Sequence, residues 1–520
     1  MQHSTLLPDW LTRCAENAPG YLAVQCGQTR WSFGELARQA DRLARQLASV
    51  GVGEESRVAL LASNGPAYVA FVHALTRLGA ILVPLNTRLT PAELCWQLGD
   101  VRAMLLVSDA NMTDRAKEIG ATMPMLPQAM LQTASPAPDR SEVLLLTREG
   151  SPYPEIRVTM RAQIDLDATQ VIMYTSGTTG QPKGVLITYG MQWWNALGSA
   201  LNLGHHPDDI WLACLPLFHI GGLSILMRSV IYGISVVLLE KFDEHAVNQA
   251  IQQDGVTIIS VVAVMLQRML AALAAEGDEA RYPASLRCVL LGGGPAPRPL
   301  LERCANLAIP VAQTYGMTES CSQAVTLAPA DALRKLGSAG RPLLPVQVQI
   351  LRENQPVPAG EPGTIYLKGP TITQGYADRP AVTAEVLQGD WFCTGDLGYL
   401  DADGYLYVLD RRSDLIISGG ENVYPAEIES ALLAHPAVAE AGVCGQDDSH
   451  WGQVPIAFVT LHPGQYVSAE AILEHARQRL ARYKVPGAIY IVAELPRNSS
   501  GKLLRRELRG LLSGDHLAID

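Results

Sequence analysis

The stretch RVALLASNGPAYVAFVHALTRLGAILVPL, residues 57–85, holds the pattern that decides the fold. Arg57–Leu61 is a short apolar run of strand character, Pro66–Leu78 carries a helical pattern, and Ala80–Leu85 is a second apolar run. Working outward, Trp31–Ser49 reads as a helix. Further short apolar runs recur at Ala103–Val107, Val236–Leu239 and Thr257–Val261, each bounded by polar or glycine-containing segments. Strands alternating with helices predict parallel sheets covered by helices, and at least two such sheet units fit before residue 330. From Gly337 to Leu409 the texture changes to short strands with Gly/Pro turns, Pro345–Leu351, Gly363–Leu367 and Gly404–Val408, which predicts a small β unit. A mixed α+β pattern follows, opening with a helix after Tyr424-Pro425 and closing with Lys502-Leu-Leu-Arg-Arg-Glu-Leu508. The charge-rich joint Asp410–Asp414 is the expected boundary, giving an N-terminal domain over 1–410 and a C-terminal domain over 411–520. Pro127–Pro154 is enriched in Pro and Ser and is expected to be loop-rich. No internal repeat or low-complexity tract is present.

Composition narrows the function. With 48% hydrophobic and 18% charged residues, the 520-residue chain has the make-up of a packed globular protein. Forty basic against 51 acidic side chains leave a net charge of −11, so no overall positive field draws it to nucleic acid or anionic lipid. The nine cysteines are odd in number and show no CxxC spacing, which speaks against a disulfide framework or a zinc site and for a reducing, cytoplasmic location. The histidines, His205-His206 included, show no metal-binding spacing. Val230–Leu239 and Val256–Leu266 are too short to span a bilayer, and the first residues lack the basic and apolar regions of a secretory signal. A homo-oligomer is the base-rate expectation.

The sharpest local signal is Tyr174-Thr-Ser-Gly-Thr-Thr-Gly-Gln-Pro-Lys-Gly184, directly after the apolar Val171-Ile-Met173. Five hydroxyls, three glycines and one lysine in a loop after a strand suit a polyphosphate: backbone amides can approach closely, hydroxyls donate, and a cation neutralises charge. Its glycine spacing differs from a Walker A loop, and Lys183 is followed by glycine.

Together with Tyr315-Gly-Met-Thr-Glu319, Thr394-Gly-Asp396, the segment DRRSDLIISGGENVYPAEIE over 410–429, and Pro496-Arg-Asn-Ser-Ser-Gly-Lys502, this loop resembles the ordered core motifs of the adenylate-forming enzymes. These are the acyl- and aryl-CoA synthetases, peptide-synthetase adenylation domains and beetle luciferases. The resemblance covers nearly the whole chain. It implies an α/β fold: a large N-terminal domain of two α/β sheet subdomains plus a small β subdomain, then a small mobile α+β C-terminal domain. It also implies ATP-dependent activation of a carboxylic acid, with Mg²⁺ as cofactor and CoA as co-substrate.

The resemblance also assigns residues. Thr175, Ser176, Gly177, Thr178, Thr179, Gly180 and Lys183 would cradle the phosphates, and Tyr315 and Gly316 would contact the nucleotide. Thr318 would meet the α-phosphate, and Glu319 would supply the hard oxygen that Mg²⁺ requires. Asp396 offers a carboxylate suited to two ribose hydroxyls, and Arg411 a planar fork suited to ribose or phosphate oxygens. Lys502 matches the family's catalytic lysine: a cation there stabilises the charge that spreads over the α-phosphate oxygens in the transition state. Gly419-Gly420 match the loop that guides the pantetheine arm once the C-terminal domain has rotated about the joint. Ser413 departs from the Asp or Lys that many members carry at the pivot.

For the acid itself, the region from Ser199 to Gly233 is similar to the o-succinylbenzoate–CoA ligase branch of the family, which acts in menaquinone synthesis. That substrate keeps a second, ring-bound carboxylate, for which Arg228, an isolated cation in an apolar segment, is a candidate partner. A snorkelling arginine at a helix end explains Arg228 equally well. His219 would line the acyl pocket or gate the thiol tunnel, and Gly292, Gly293 and Gly294 would leave room for a flat ring. Alternatives within the class are another aryl- or acyl-CoA synthetase and a stand-alone adenylation enzyme loading a carrier protein. A luciferase-like monooxygenase and a nucleotide-binding regulator without catalysis stand further off.

Overall fold

The computed structural model describes residues 5–134, 142–175, 181–277, 280–293, 296, 298–410, 416–423, 425–496 and 505–513. The strand–helix–strand pattern at 57–85 forms as read: Arg57–Leu61 and Ile81–Pro84 are parallel neighbours joined through the helix Pro66–Leu78. Proline in the first turn starts that helix, and Gly79 at φ 68° ends it. Apart from its first two residues the helix is buried all round, because it lies in a layer shared by two sheets. One apolar cluster joins Tyr68, Phe71 and Leu75 to Val58 and Leu82 of one sheet and to Val24 and Val236 of the other. Truncating the fully buried Phe71 to Ala would cost about 3–5 kcal/mol.

The first sheet has seven strands, in the order Lys183–Thr188, Thr169–Thr175, Ile81–Pro84, Arg57–Leu61, Leu105–Ser108, Gln128–Ala134 and Glu142–Leu146. It is parallel at its centre and antiparallel at both edges. The second has nine strands, running from Arg341–Pro342 through Val325–Leu327, Val311–Tyr315, Cys288–Gly292, Ile258–Val262, Ile210–Ala213, Ser235–Leu238 and Leu22–Cys26 to Thr29–Ser32. A six-stranded antiparallel sheet built on Gln347–Arg352, Gly363–Lys368 and Trp391–Leu400 is the expected β unit. Beyond 415 a five-stranded sheet around Val438–Asp448 and Gly452–Leu461 packs with helices Pro425–Leu433 and Ala469–Arg477 as the α+β end.

Two readings need correction. Trp31 is a strand residue, and the helix spans Phe33–Ser49; Ser32 caps it and Glu35 closes a capping box, so the amphipathic pattern starts one cap later than its first apolar residue. Pro127–Pro154 is less loop-rich than its composition indicated, because Gln128–Ala134 pairs with Glu142–Leu146 at the sheet edge. Alternating Ala129 and Leu131 face Val143 and Leu145 in the core, and that period-two burial outweighs the local Pro and Ser content. The boundary residues 411–415, Ser413 among them, lie outside the described residues. All nine cysteines are unpaired. No helix among the described residues is long and apolar enough to cross a membrane.

Candidate active site

In parallel sheets the carboxyl ends of the strands face a common side, where crevices take ligands. In the nine-stranded sheet those ends deliver Val262, Gly292, Gly293 and Gly316; in the seven-stranded sheet they deliver Asn86, Arg88 and Thr175. These residues line one cavity of about 410 Å³, and Gly419, Gly420, Glu421 and Lys484 of the C-terminal unit line it too. Thus Thr175, Lys183, His219, Arg228, Gly292, Gly293, Gly316, Thr318, Glu319, Asp396, Gly419 and Gly420 all border the same space. Tyr315 stands behind it, reaching Asp396. Ser176, Gly177, Thr178, Thr179, Gly180, Gly294, Arg411 and Lys502 lie outside the described residues.

At one end, the Tyr315 hydroxyl donates to an Asp396 carboxylate oxygen at 2.7 Å, and the Asp396 amide donates to Thr394 Oγ1 at 3.0 Å. This holds a largely buried carboxylate in a fixed orientation. The Tyr376 hydroxyl donates to Glu319 Oε1 at 3.0 Å, while Lys183 Nζ sits 5.4 Å from the Tyr376 ring centroid. One aromatic ring thereby spaces the cation from the carboxylate. Tyr376, far from both in sequence, carried no motif signal. Gly316 is required by close approach, since a Cβ there would fall 1.6 Å from the Ser322 carbonyl oxygen. Among the described residues no three His, Cys, Asp or Glu side chains gather as a metal site. Glu319 offers a hard carboxylate oxygen of the kind a Mg²⁺ ion carried by a nucleotide would take.

At the opposite wall Arg228 is 2% exposed, on the helix Ile220–Tyr232. Its Nη2 donates to Asn195 Oδ1 at 2.7 Å, and the guanidinium lies 5.1 Å from the Trp211 ring centroid. Burial lowers its pKa. Nε is buried without a hydrogen-bond partner. Among the described residues no carboxylate pairs with it, so the alternative of a snorkelling arginine at the surface fails on burial.

The third wall belongs to the C-terminal unit. Gly419 and Gly420, at φ 57° and 82°, form the two-residue turn between Ile416–Ser418 and Glu421–Val423, and positive φ at both positions is what such a hairpin demands. A Cβ built on Gly420 would lie 3.6 Å from Val262 Cγ2, so the turn's tip reaches the N-terminal domain. Next to it, Glu421 is buried, 2.9 Å from His219 Nε2 and 2.9 Å from Arg88 Nη1. Burial opposes its charge, but His219, Arg88 and Lys484 together hold the carboxyl below its usual range. Lys484 Nζ bridges Glu93 of the N-terminal domain at 2.9 Å and Glu427 at 2.7 Å. Burial works against the ammonium, and the two carboxylates still raise its pKa. Glu421, Arg88 and Lys484 escaped the sequence reading because ion pairs across domains leave no local spacing; adjacency to Gly419-Gly420 was the only hint for Glu421.

Comparison with known proteins gives consistent matches. Residues 11–377 match the family described as AMP-binding enzyme, and 427–502 match its C-terminal domain. A 2-succinylbenzoate–CoA ligase of Geobacillus kaustophilus is 52% identical over 508 residues, covering 98% of each chain. Among solved structures, a double mutant of o-succinylbenzoate CoA synthetase from Bacillus subtilis, bound to the product analogue OSB-NCoA, is 44% identical with a TM-score of 0.88, covering 97% of this chain and 98% of that one. The synthetase in complex with the acyl-adenylate OSB-AMP is 43% identical with a TM-score of 0.72, covering 99% and 100%.

Proposed function

The chain belongs to the AMP-binding enzyme family, and on that premise we propose that it is an AMP-forming ligase converting o-succinylbenzoate to its CoA thioester. The observation that carries the choice of acid is Arg228: a buried cation lining the cavity with no carboxylate partner among the described residues. An unpaired buried charge costs several kcal/mol, and a substrate anion offsets that cost only when bound. o-Succinylbenzoate activates its aliphatic carboxylate and keeps the ring-bound one ionised, so it brings that anion. The 52% identical ligase supports the same choice.

In the first half-reaction the aliphatic carboxylate attacks the α-phosphorus, the bond to the β-phosphate oxygen breaks, and pyrophosphate leaves. Thr175–Gly180 and Lys183 take the phosphates, Thr318 the α-phosphate, and Asp396, with Tyr315 and Arg411, the ribose. Mg²⁺ on Glu319 supplies charge neutralisation when bound. Lys502 stabilises the equatorial oxygens of the transition state. In the second half-reaction the CoA thiol, losing its proton, attacks the acyl carbonyl and expels AMP. Gly419-Gly420 give the thiol's arm a side-chain-free edge beside His219, and the ring of the acid lies against Gly292 and Gly293. The higher overlap with the product-analogue complex than with the acyl-adenylate complex supports reading this arrangement as the one for the thiol step. The C-terminal domain, from 411 on, turns about the joint between the steps. A cytoplasmic homo-oligomer is the setting proposed for it, accessible by cell fractionation and light scattering.

The test is AMP and thioester formation with ATP, Mg²⁺ and CoA over a panel of o-succinylbenzoate, benzoate, 4-phenylbutyrate and medium- and long-chain acids. A strong preference for o-succinylbenzoate is expected. Turnover confined to another acid would retain the chemistry and discard the substrate, and AMP release without thioester would point to a carrier-protein acceptor.

A further inference from the structure

Arg228 does not stand alone at the acid wall. Asn195, on the helix Tyr189–Leu203, is 1% exposed and accepts from Arg228 Nη2 through Oδ1. Its other arm, Nδ2, donates to the Gln323 carbonyl at 2.8 Å and lies 3.5 Å from the Ser320 carbonyl. These partners permit one orientation of the amide. Flipping it would set an NH₂ against the guanidinium and an oxygen against backbone carbonyls, losing every hydrogen bond of a buried amide. Trp211 meanwhile presents its ring to the guanidinium, and its own Nε1 is fixed by Ser260 Oγ at 3.0 Å. The guanidinium is therefore held at one nitrogen and against one ring, while Nε stays unpaired.

We infer that Asn195 is the positioning residue of the acid site, holding Arg228 for the second carboxylate and tying it to the Thr318–Ser320 turn. Two features support this. A neutral amide occupies the place where a carboxylate would have made a stronger pair with Arg228, which leaves the cation's charge uncancelled for a ligand. And the carbonyls that hold Asn195 belong to the chain leaving Thr318 and Glu319, so the second carboxylate is located relative to the turn that would meet the α-phosphate. A dicarboxylate anchored through Arg228 is thus set at a fixed distance from the phosphorus its other carboxylate must attack, a positional advantage that a mono-acid does not share.

The inference rests on the proposed role of Arg228, and the experiment separates the two. KM and kcat are measured for o-succinylbenzoate and for 4-phenylbutyrate in the wild-type enzyme, Asn195→Ala and Asn195→Asp. Loss of one hydrogen bond to a charged group predicts that Asn195→Ala raises the KM for o-succinylbenzoate about tenfold, with a much smaller change for 4-phenylbutyrate. Asn195→Asp supplies a competing carboxylate and is expected to raise it further. It also turns an oxygen toward the Gln323 carbonyl, so Asn195→Ala decides the matter should the Asp variant fail to fold. Equal losses with both acids would mean that Asn195 only supports the fold. An unchanged KM for the dicarboxylate would equally overturn the role. A wild-type enzyme indifferent to the second carboxylate would overturn the role of Arg228 and this inference with it.

Discussion

Arg228 and Asp396 differ in how they are held. Asp396 has its tyrosine donor in place before any ligand arrives. Arg228 has one amide oxygen and a ring face, and keeps one buried N–H unmatched. The first is a preformed acceptor; the second, on the proposed function, is an anion site whose strongest partner comes from the substrate. Arg228→Ala should raise the KM for o-succinylbenzoate by about tenfold or more, with little change for a mono-acid analogue. Steady-state kinetics with the pair of acids check this, and uniform loss would assign the residue to packing. Isolation within an apolar segment made Arg228 legible as a candidate. Its burial, its amide partner and its ring did not follow from the sequence, because Asn195, Trp211 and Arg228 come from separate elements that only packing brings together.

At the level of elements, the hairpin Ile416–Val423 does two jobs. Its glycine pair satisfies the geometry of a two-residue turn, and its next residue, Glu421, plants a carboxylate between His219 and Arg88 of the other domain. The family resemblance picked out the glycines; the carboxylate that fastens them to the cavity rim is a product of docking. Glu421→Gln keeps the shape and removes the charge. It should slow thioester formation from preformed acyl-AMP by about tenfold and leave adenylation nearly unchanged, as single-turnover assays of each half-reaction would show. The folded Glu421 carboxyl lies below its ordinary 4.5, so the stability contributed by its shifted ionisation is present above that value and is lost as pH falls through the lower folded one. Domain closure, followed by energy transfer between labelled domains, should therefore lose the Glu421 contribution as the pH falls below 4.5.

For the whole molecule, two mainly parallel sheets aim their carboxyl ends at one crevice, and a third unit closes it from above. On the proposed function, one closing face would have to serve both Lys502 and the Gly419-Gly420 turn, which is the physical reason for proposing a rotating domain. Lys502→Ala should accordingly suppress adenylation more than about 100-fold while sparing thioester formation from preformed acyl-AMP. Rapid-quench measurement of pyrophosphate release and of thioester yield separates the two, and parallel loss in both would remove Lys502 from its assigned step.

The sequence by itself determined the α/β architecture, since helix and strand periods at 57–85 and their repeats are local properties of the chain. It also singled out the candidate phosphate loop, Glu319 and Asp396, because those groups sit in the contiguous motifs that carry the family resemblance. The tertiary structure alone decided the rest. Which carboxylates and cations fasten the two domains, Glu421 to His219 and Arg88, Lys484 to Glu93, depends on surfaces far apart in sequence. So does the strand pairing inside the Pro/Ser-rich 127–154 segment, which burial against the core imposes on an unpromising composition. And Asn195 acquires meaning only where three elements meet around a buried charge, because a hydrogen bond in a dry interior is set by distance in space and not by spacing along the chain.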